Sequence, residues 1–184
     1  LVRNPVNFHQ VSRISLSPDT VDGIVFWTKN PAPLEKQLDL FEDYPYYFQF
    51  TLTPYGRDIE PHLPGKEDAL IPLFCRLAER IGPERVLWRY DPILINSLYT
   101  PDFHRRAFCR FCSLLSGSTL RCTVSFLDPY RHIAHELMRL GIQSLTESAK
   151  TELLASFAES ASWSGISIYT CAESSDFSAL GIHH

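Results

Sequence analysis

Four side chains able to move protons or hold anions stand where apolar runs of the chain turn polar: Lys29, Arg89, Asp91 and Glu173. Lys29 follows Ile24-Val25-Phe26-Trp27-Thr28 and precedes Asn30-Pro31, while Arg89 and Asp91 lie within Val86-Leu87-Trp88-Arg89-Tyr90-Asp91-Pro92. An amine or carboxylate brought against one substrate can act as a general acid or base. Arg and Lys together can hold an anionic group. Asn30, Gln49, Thr51, Thr53, Tyr55 and Ser125 occupy comparable positions and form the candidate substrate- or cofactor-binding set, with Asp128 beside them. Gln49 and Arg89 interrupt apolar runs, where a polar side chain needs a partner or a ligand. Gln49 and Thr51 share one face of an extended segment whose other face carries Phe48 and Phe50, so one face must look at something polar. The plainer alternative is that these charges only neutralise one another, Arg89 with Asp91 or Lys29 with Glu173.

Strands are expected at residues 22–28, 46–53, 86–90, 121–127 and 166–171, and the first four each run into a proline. Proline disfavours the helical region for the residue before it, which ends such segments sharply. The first strand reads as buried on both faces, with Trp27 and Trp88 in the core. Between the strands lie helical patterns at 34–41, 66–81, 101–115, 130–140 and 146–162. In the second, Leu70, Phe74, Leu77 and Ile81 form one stripe, and Gly82-Pro83 ends it. Thr100-Pro101 supplies a cap and a first-turn proline for the third, where His104 falls at the edge of the apolar stripe. Residues 11–16 alternate and suit a short strand or an extended arm. The long connection after the second strand carries Glu60 and His62, as a lid element or as solvated loop.

Strands alternating with helices predict a parallel sheet joined by right-handed crossovers. The expected fold is α/β, a partial TIM-like (β/α) barrel of about five parallel strands, with its polar strand ends gathered on one rim. Residues 1–184 suit a single domain, expected to be truncated at both ends because the chain opens on Leu1 and closes directly after a strand and turn.

The formal charge of −4 speaks against an electrostatically driven nucleic-acid binder. Stacking by Trp27, Tyr55 or Trp88 would be needed to sustain such a reading. No apolar run approaches a membrane span and no secretory signal is evident, so a cytoplasmic protein without a membrane partner is expected. Cys75, Cys109, Cys112, Cys122 and Cys171 are scattered and odd in number, which suits reduced thiols. Cys109 and Cys112 have metal-site spacing, but no second pair accompanies them, so no metal ligand is assigned. His132 and His135 suit a solvated helix face. No phosphate loop, nucleophile elbow or HExxH string is present.

The strings Phe26-Trp27-Thr28-Lys29-Asn30-Pro31 and Trp88-Arg89-Tyr90-Asp91-Pro92-Ile93, with Gln49-Phe50-Thr51-Leu52-Thr53-Pro54-Tyr55, Asp58-Ile59-Glu60-Pro61 and Cys171-Ala172-Glu173, resemble the bacterial family called domain of unknown function 1848. The resemblance covers essentially the whole chain. It implies similarity to radical S-adenosylmethionine enzymes, in which a 4Fe-4S cluster held by cysteines beyond the C-terminus of this chain would cleave the cofactor. No cofactor is expected within the chain itself. The resemblance gives Lys29, Arg89, Asp91 and Glu173 a motif position without a reaction. The alternatives are a metal-independent barrel doing acid–base chemistry on an anionic metabolite, or a nucleic-acid-binding module. Neither the small-molecule substrate nor the oligomeric state can be named from the sequence.

Overall fold

Valine, tryptophan and tyrosine recur every second residue along 86–90, a pattern that fits a pleated strand with one strongly apolar face. That strand is the centre of a five-stranded sheet in the computed structural model, which describes residues 1–127, 134–171, 173 and 175–184. A short antiparallel pair, β1 (Val2–Arg3) and β2 (Val11–Ser12), opens the chain. There follow β3 (Ile24–Thr28), α1 (Ala32–Glu35), β4 (Tyr46–Thr51), α2 (Ile71–Ile81) and β5 (Val86–Ile93). The remainder is α3 (Pro101–Leu115), β6 (Arg121–Phe126), α4 (Ala134–Arg139), α5 (Glu147–Trp163) and β7 (Ser167–Thr170). Residues 130–133 of the expected fourth helix, with Asp128 and His132, lie outside the described residues.

The sheet has the order β3-β4-β5-β6-β7, so sequence neighbours are spatial neighbours, and every pairing is parallel. Beyond β7, His183 forms a parallel bridge with Tyr169. The expected α/β class and parallel sheet are therefore observed. A closed TIM-like barrel is not, because among the described residues no strand pairs with the outer edge of β3.

The helices begin and end where local chemistry directs. Thr100 Oγ1 accepts the Phe103 amide at 3.2 Å to start α3, and Thr146 Oγ1 accepts the Ala149 amide at 3.2 Å to start α5. A turn of wider helix at Lys66–Leu70 leads into α2, and Gly82, at φ +96°, ends it in a conformation that side chains disfavour.

One sheet face forms the core. Phe48 and Phe50 of β4, Trp88 and Tyr90 of β5, and Cys122 and Val124 of β6 are buried with the apolar stripes of α2, α3 and α5. Phe108 of α3 and Phe157 of α5 stack with ring centres 3.9 Å apart, and Trp88 stacks on Phe108 at 5.0 Å. The other sheet face carries none of this apolar packing. Thr51, Arg89, Thr123 and Tyr169 lie in one register row across it. At the β3 edge Trp27 is 63% exposed, which corrects the expectation of a strand buried on both faces with Trp27 in the core. Trp88 is buried as expected.

Replacing Phe157 by Ala is expected to cost about 3–5 kcal/mol, the range for truncating a large buried aromatic side chain. Denaturant midpoints of the two proteins measure it, and a loss under about 1 kcal/mol would show that the Phe108–Phe157 stack does not anchor the helical layer.

Candidate functional site

Arg89 sits mid-strand on the face away from the helices, yet it is only 7% exposed. A cation in that position needs partners. Its Nε lies 3.0 and 3.1 Å from the two carboxylate oxygens of Asp91, two residues along the same face, and its Nη2 donates to Oδ2. Nη1 donates to Gln49 Oε1 at 2.7 Å, and the guanidinium lies 4.2 Å from the centre of the Trp27 ring. Cys171 directly follows β7. Burial acts against the charge, but the Asp91 carboxylate, and after it Cys171, hold the guanidinium pKa above its ordinary value. Trp27 is fixed in turn by its indole N–H, which donates to Thr51 Oγ1 at 3.0 Å. Thus Trp27, Gln49, Thr51, Arg89 and Asp91 form one connected constellation drawn from three strands.

A second constellation gathers on Glu60, in the connection after β4. Its carboxylate is almost fully buried and receives Lys29 Nζ at 2.5 Å, Lys66 Nζ, and Thr53 Oγ1 at 3.0 Å. Lys29 comes from the end of β3 and Lys66 from the turn that begins the helix before β5. The connection is anchored rather than loose. Tyr55 is buried with its hydroxyl donating to Pro92 O at 2.7 Å and accepting the Leu94 amide at 2.9 Å. Tyr99 donates to Asp58 at 2.6 Å and accepts the Gly56 amide at 2.9 Å. Burial raises both phenols, and that of Tyr99 reaches about 12 with the help of its bond to Asp58. Beside Glu60 opens a concavity of about 410 Å³ lined by Tyr55, Arg57, Pro64, Lys66 and Asp68 among others.

The remaining candidates divide. Asn30 shapes the turn after β3, its side chain accepting the Ala32 amide at 3.2 Å. Ser125 is half-buried on β6, two residues beyond Thr123 on the same face. Glu173 accepts the Phe126 amide at 2.7 Å and lies 3.8 Å from Lys150, so it ties the end of β6 to α5 and does not pair with Lys29. The single rim gathering all candidates is therefore replaced by two constellations, with Glu173 apart. Cys109 is exposed while Cys112 is packed into the core, where burial pushes its thiol up to about 12. Among the described residues no three His, Cys, Asp or Glu side chains lie together as a metal site would need.

His104 is fully buried, not at the boundary of the stripe. Nε2 lies 2.9 Å from Leu94 O, which can only accept, so Nδ1 is the acceptor for the Tyr90 hydroxyl at 2.8 Å. Burial holds its pKa down to about 4.

Lys66 lies outside the residues that the sequence points to, and Glu60 enters there only as part of a lid or solvated loop, because its Lys29 partner is distant in sequence. A carboxylate in a proline-bounded turn was the available signal, and it does not name a lysine 31 residues away. No local signal reveals the exposed indole, because Ile24, Val25, Phe26 and Trp27 are all apolar.

A family model described as "Domain of unknown function (DUF1848)" matches residues 1–184. No curated protein and no solved structure matches the chain. Among the described residues no helix is long and apolar enough to cross a membrane.

Removing one member of the Arg89–Asp91 pair, by Arg89→Met or Asp91→Leu, is expected to cost about 3–5 kcal/mol because it strands a buried charge. The double replacement is expected to recover most of that loss, and denaturant unfolding of the set measures it. His104 generates a pH effect of defined sign. Its folded pKa of about 4 lies below the ordinary 6.5, so the unfolded chain binds the proton first. Stability is unaffected by His104 above about pH 6.5 and falls as pH drops towards 4, by roughly 3 kcal/mol in all. An NMR titration of the imidazole with a midpoint near 6.5 would contradict this.

Proposed function

The chain belongs to the DUF1848 family along its whole length, and on that premise we propose that its sheet is one wall of a (β/α) barrel enzyme acting on a small anionic molecule. One observation carries the reading. Five parallel strands stand in sequence order with the core helices on one face, and the opposite face holds a buried guanidinium. Successive right-handed crossovers in one direction put every helix on one side, which is the winding of a barrel. In a doubly wound sheet the order reverses and both faces are covered. The face bearing Arg89 would then look into the lumen.

The roles follow from the contacts. Arg89 has five N–H donors, and Asp91 and Gln49 engage only part of them, so the guanidinium keeps donors for a carboxylate or phosphate. Trp27 presents an exposed indole beside it as a stacking surface. Asp91 fixes the guanidinium plane. Its carboxylate is engaged by that one partner, which leaves Asp91 as a positioning residue rather than a base.

The resemblance to radical S-adenosylmethionine enzymes extends the reading to a cluster that would generate a radical from the bound cofactor. The described cysteines do not fit that role. Cys112 and Cys122 are buried in the core, Cys75 of α2 meets the Leu114 carbonyl of α3, Cys109 is exposed on α3, and Cys171 is exposed after β7. The cluster would be held by cysteines outside this chain. A second reading, acid–base chemistry without a metal, is favoured by the 2.5 Å bond between the Lys29 amine and the Glu60 carboxylate. That bond joins a titratable donor to an acceptor at a strand end.

Anaerobic reconstitution of the full-length gene product separates the two. Iron, sulfide and the visible absorption of a cluster, followed by reductive cleavage of S-adenosylmethionine, are expected under the first reading. A folded, colourless, iron-free protein would overturn it and leave the Lys29–Glu60 pair as the place to look.

A further inference from the structure

We infer that Lys29 and Lys66, bridged by Glu60, form a binding site for a phosphate group. The site does not depend on closure of the sheet, because β3, the connection after β4 and the start of the helix before β5 position it within this chain. Two ammonium groups converge on one carboxylate. Glu60 makes ion pairs with both, and neither lysine has a second carboxylate within ion-pair reach among the described residues. One positive charge is left over in a setting where the Glu60 side chain is 4% exposed and that of Lys66 only 15%. Lys66 stands, moreover, at the first turn of a helical stretch that runs on through α2. That turn also carries the carboxylates Glu67 and Asp68, of which Glu67 is paired with Arg110. Glu60 supplies one anion for the two lysines, and a bound anion would supply the second.

The neighbouring concavity of about 410 Å³ gives that anion room and access. Its volume suits a small organic ligand. Arg57 on its wall adds a cation, while Asp68, also on the wall, makes no ion pair with either lysine among the described residues. Lysine amines are rotatable point charges, which suits the several oxygens of a tetrahedral phosphate. Planar carboxylates are better matched by the fork of an arginine. The ligand class is therefore a compact phosphorylated molecule, with the phosphate drawn to the ammonium pair that meets at Glu60 and its organic part over Tyr55, Gly56 and Pro64, on the Lys66 side.

Calorimetric titration of the full chain with inorganic phosphate, at fixed ionic strength set with chloride, tests this. Saturable binding is expected. Lys66→Met should weaken it by about tenfold or more, the loss for a hydrogen bond to a charged group. Lys29→Met should act in the same direction, and because its side chain is 45% exposed it carries the test if Lys66→Met fails to fold. Glu60→Gln should tighten phosphate binding by removing the competing anion. Absence of saturable binding, binding indifferent to both lysine changes, or weaker binding by folded Glu60→Gln would each overturn the proposal. So would tighter binding of malonate than of phosphate. None of these outcomes bears on whether the sheet forms part of a barrel or whether a cluster is present.

Discussion

A guanidinium buried in the middle of a β-strand constrains everything around it. Arg89 cannot reach bulk water, so its charge must be met by the sheet itself. Asp91 meets it from the same strand, two residues on, because alternate residues share a face. Gln49 meets it from β4 and the Trp27 ring from β3. These contacts hold only when Thr51 pairs with Arg89 and Trp27 with Gln49, which are the observed registers. A slip of one residue would turn Arg89 into the aromatic core and expose Trp88 or Tyr90. The ion pair adds little stability in itself, since desolvation offsets much of the attraction. Its consequence is a single permitted register, with the apolar stack of Trp88, Phe108 and Phe157 supplying the stability on the other side.

Most of this fold was legible in the sequence. The stripe through Leu70, Phe74, Leu77 and Ile81 marks a helix because 3.6-residue periodicity survives any tertiary context, and all four are buried. Thr100 and Thr146 announce helix starts by local chemistry, and both cap as such residues do. Gln49 and Arg89 were flagged as polar side chains needing partners, and they partner one another. Whether the sheet closes was not legible, since closure depends on what meets the edge of β3 and no local pattern encodes that. The expectation of a strand at 22–28 buried on both faces fails for a related reason. A run of β-branched and aromatic residues signals burial, but an edge strand with one uncovered face leaves Val25 and Trp27 exposed.

The candidate site was legible in its strand residues and not in its loop. Lys29 and Thr53 stand at strand ends, where a parallel sheet predictably collects polar groups. Glu60 becomes visible only once β3 and β4 are paired, because that pairing brings the connection after one strand against the end of the other. Glu173 shows the opposite error. Its strand-end position suggested chemistry, yet the Phe126 amide occupies one of its oxygens and Lys150 approaches the other.

The two constellations differ in electrostatic character, and that difference follows from how each is supported. Around Arg89 one cation meets one carboxylate, so the pair is neutral and the guanidinium is held in one orientation. Around Glu60 two cations share one carboxylate, so the group has spare attraction for an anion. Such an imbalance is tolerable only if Glu60 cannot swing away, since a mobile loop would relax to separate the like charges. Tyr55 and Tyr99 prevent that. One bonds the backbone at the end of β5 and the other bonds both ends of the Gly56–Asp58 turn, and the Glu60 amide donates back to Gly56 O at 2.8 Å. The two phenols stack edge to face at 5.0 Å, so the turn rests on a rigid aromatic pair rather than on solvent. A connection that would otherwise be a lid or a solvated loop is thereby made a fixed part of the sheet's edge, and the charge it carries is presented rather than merely present.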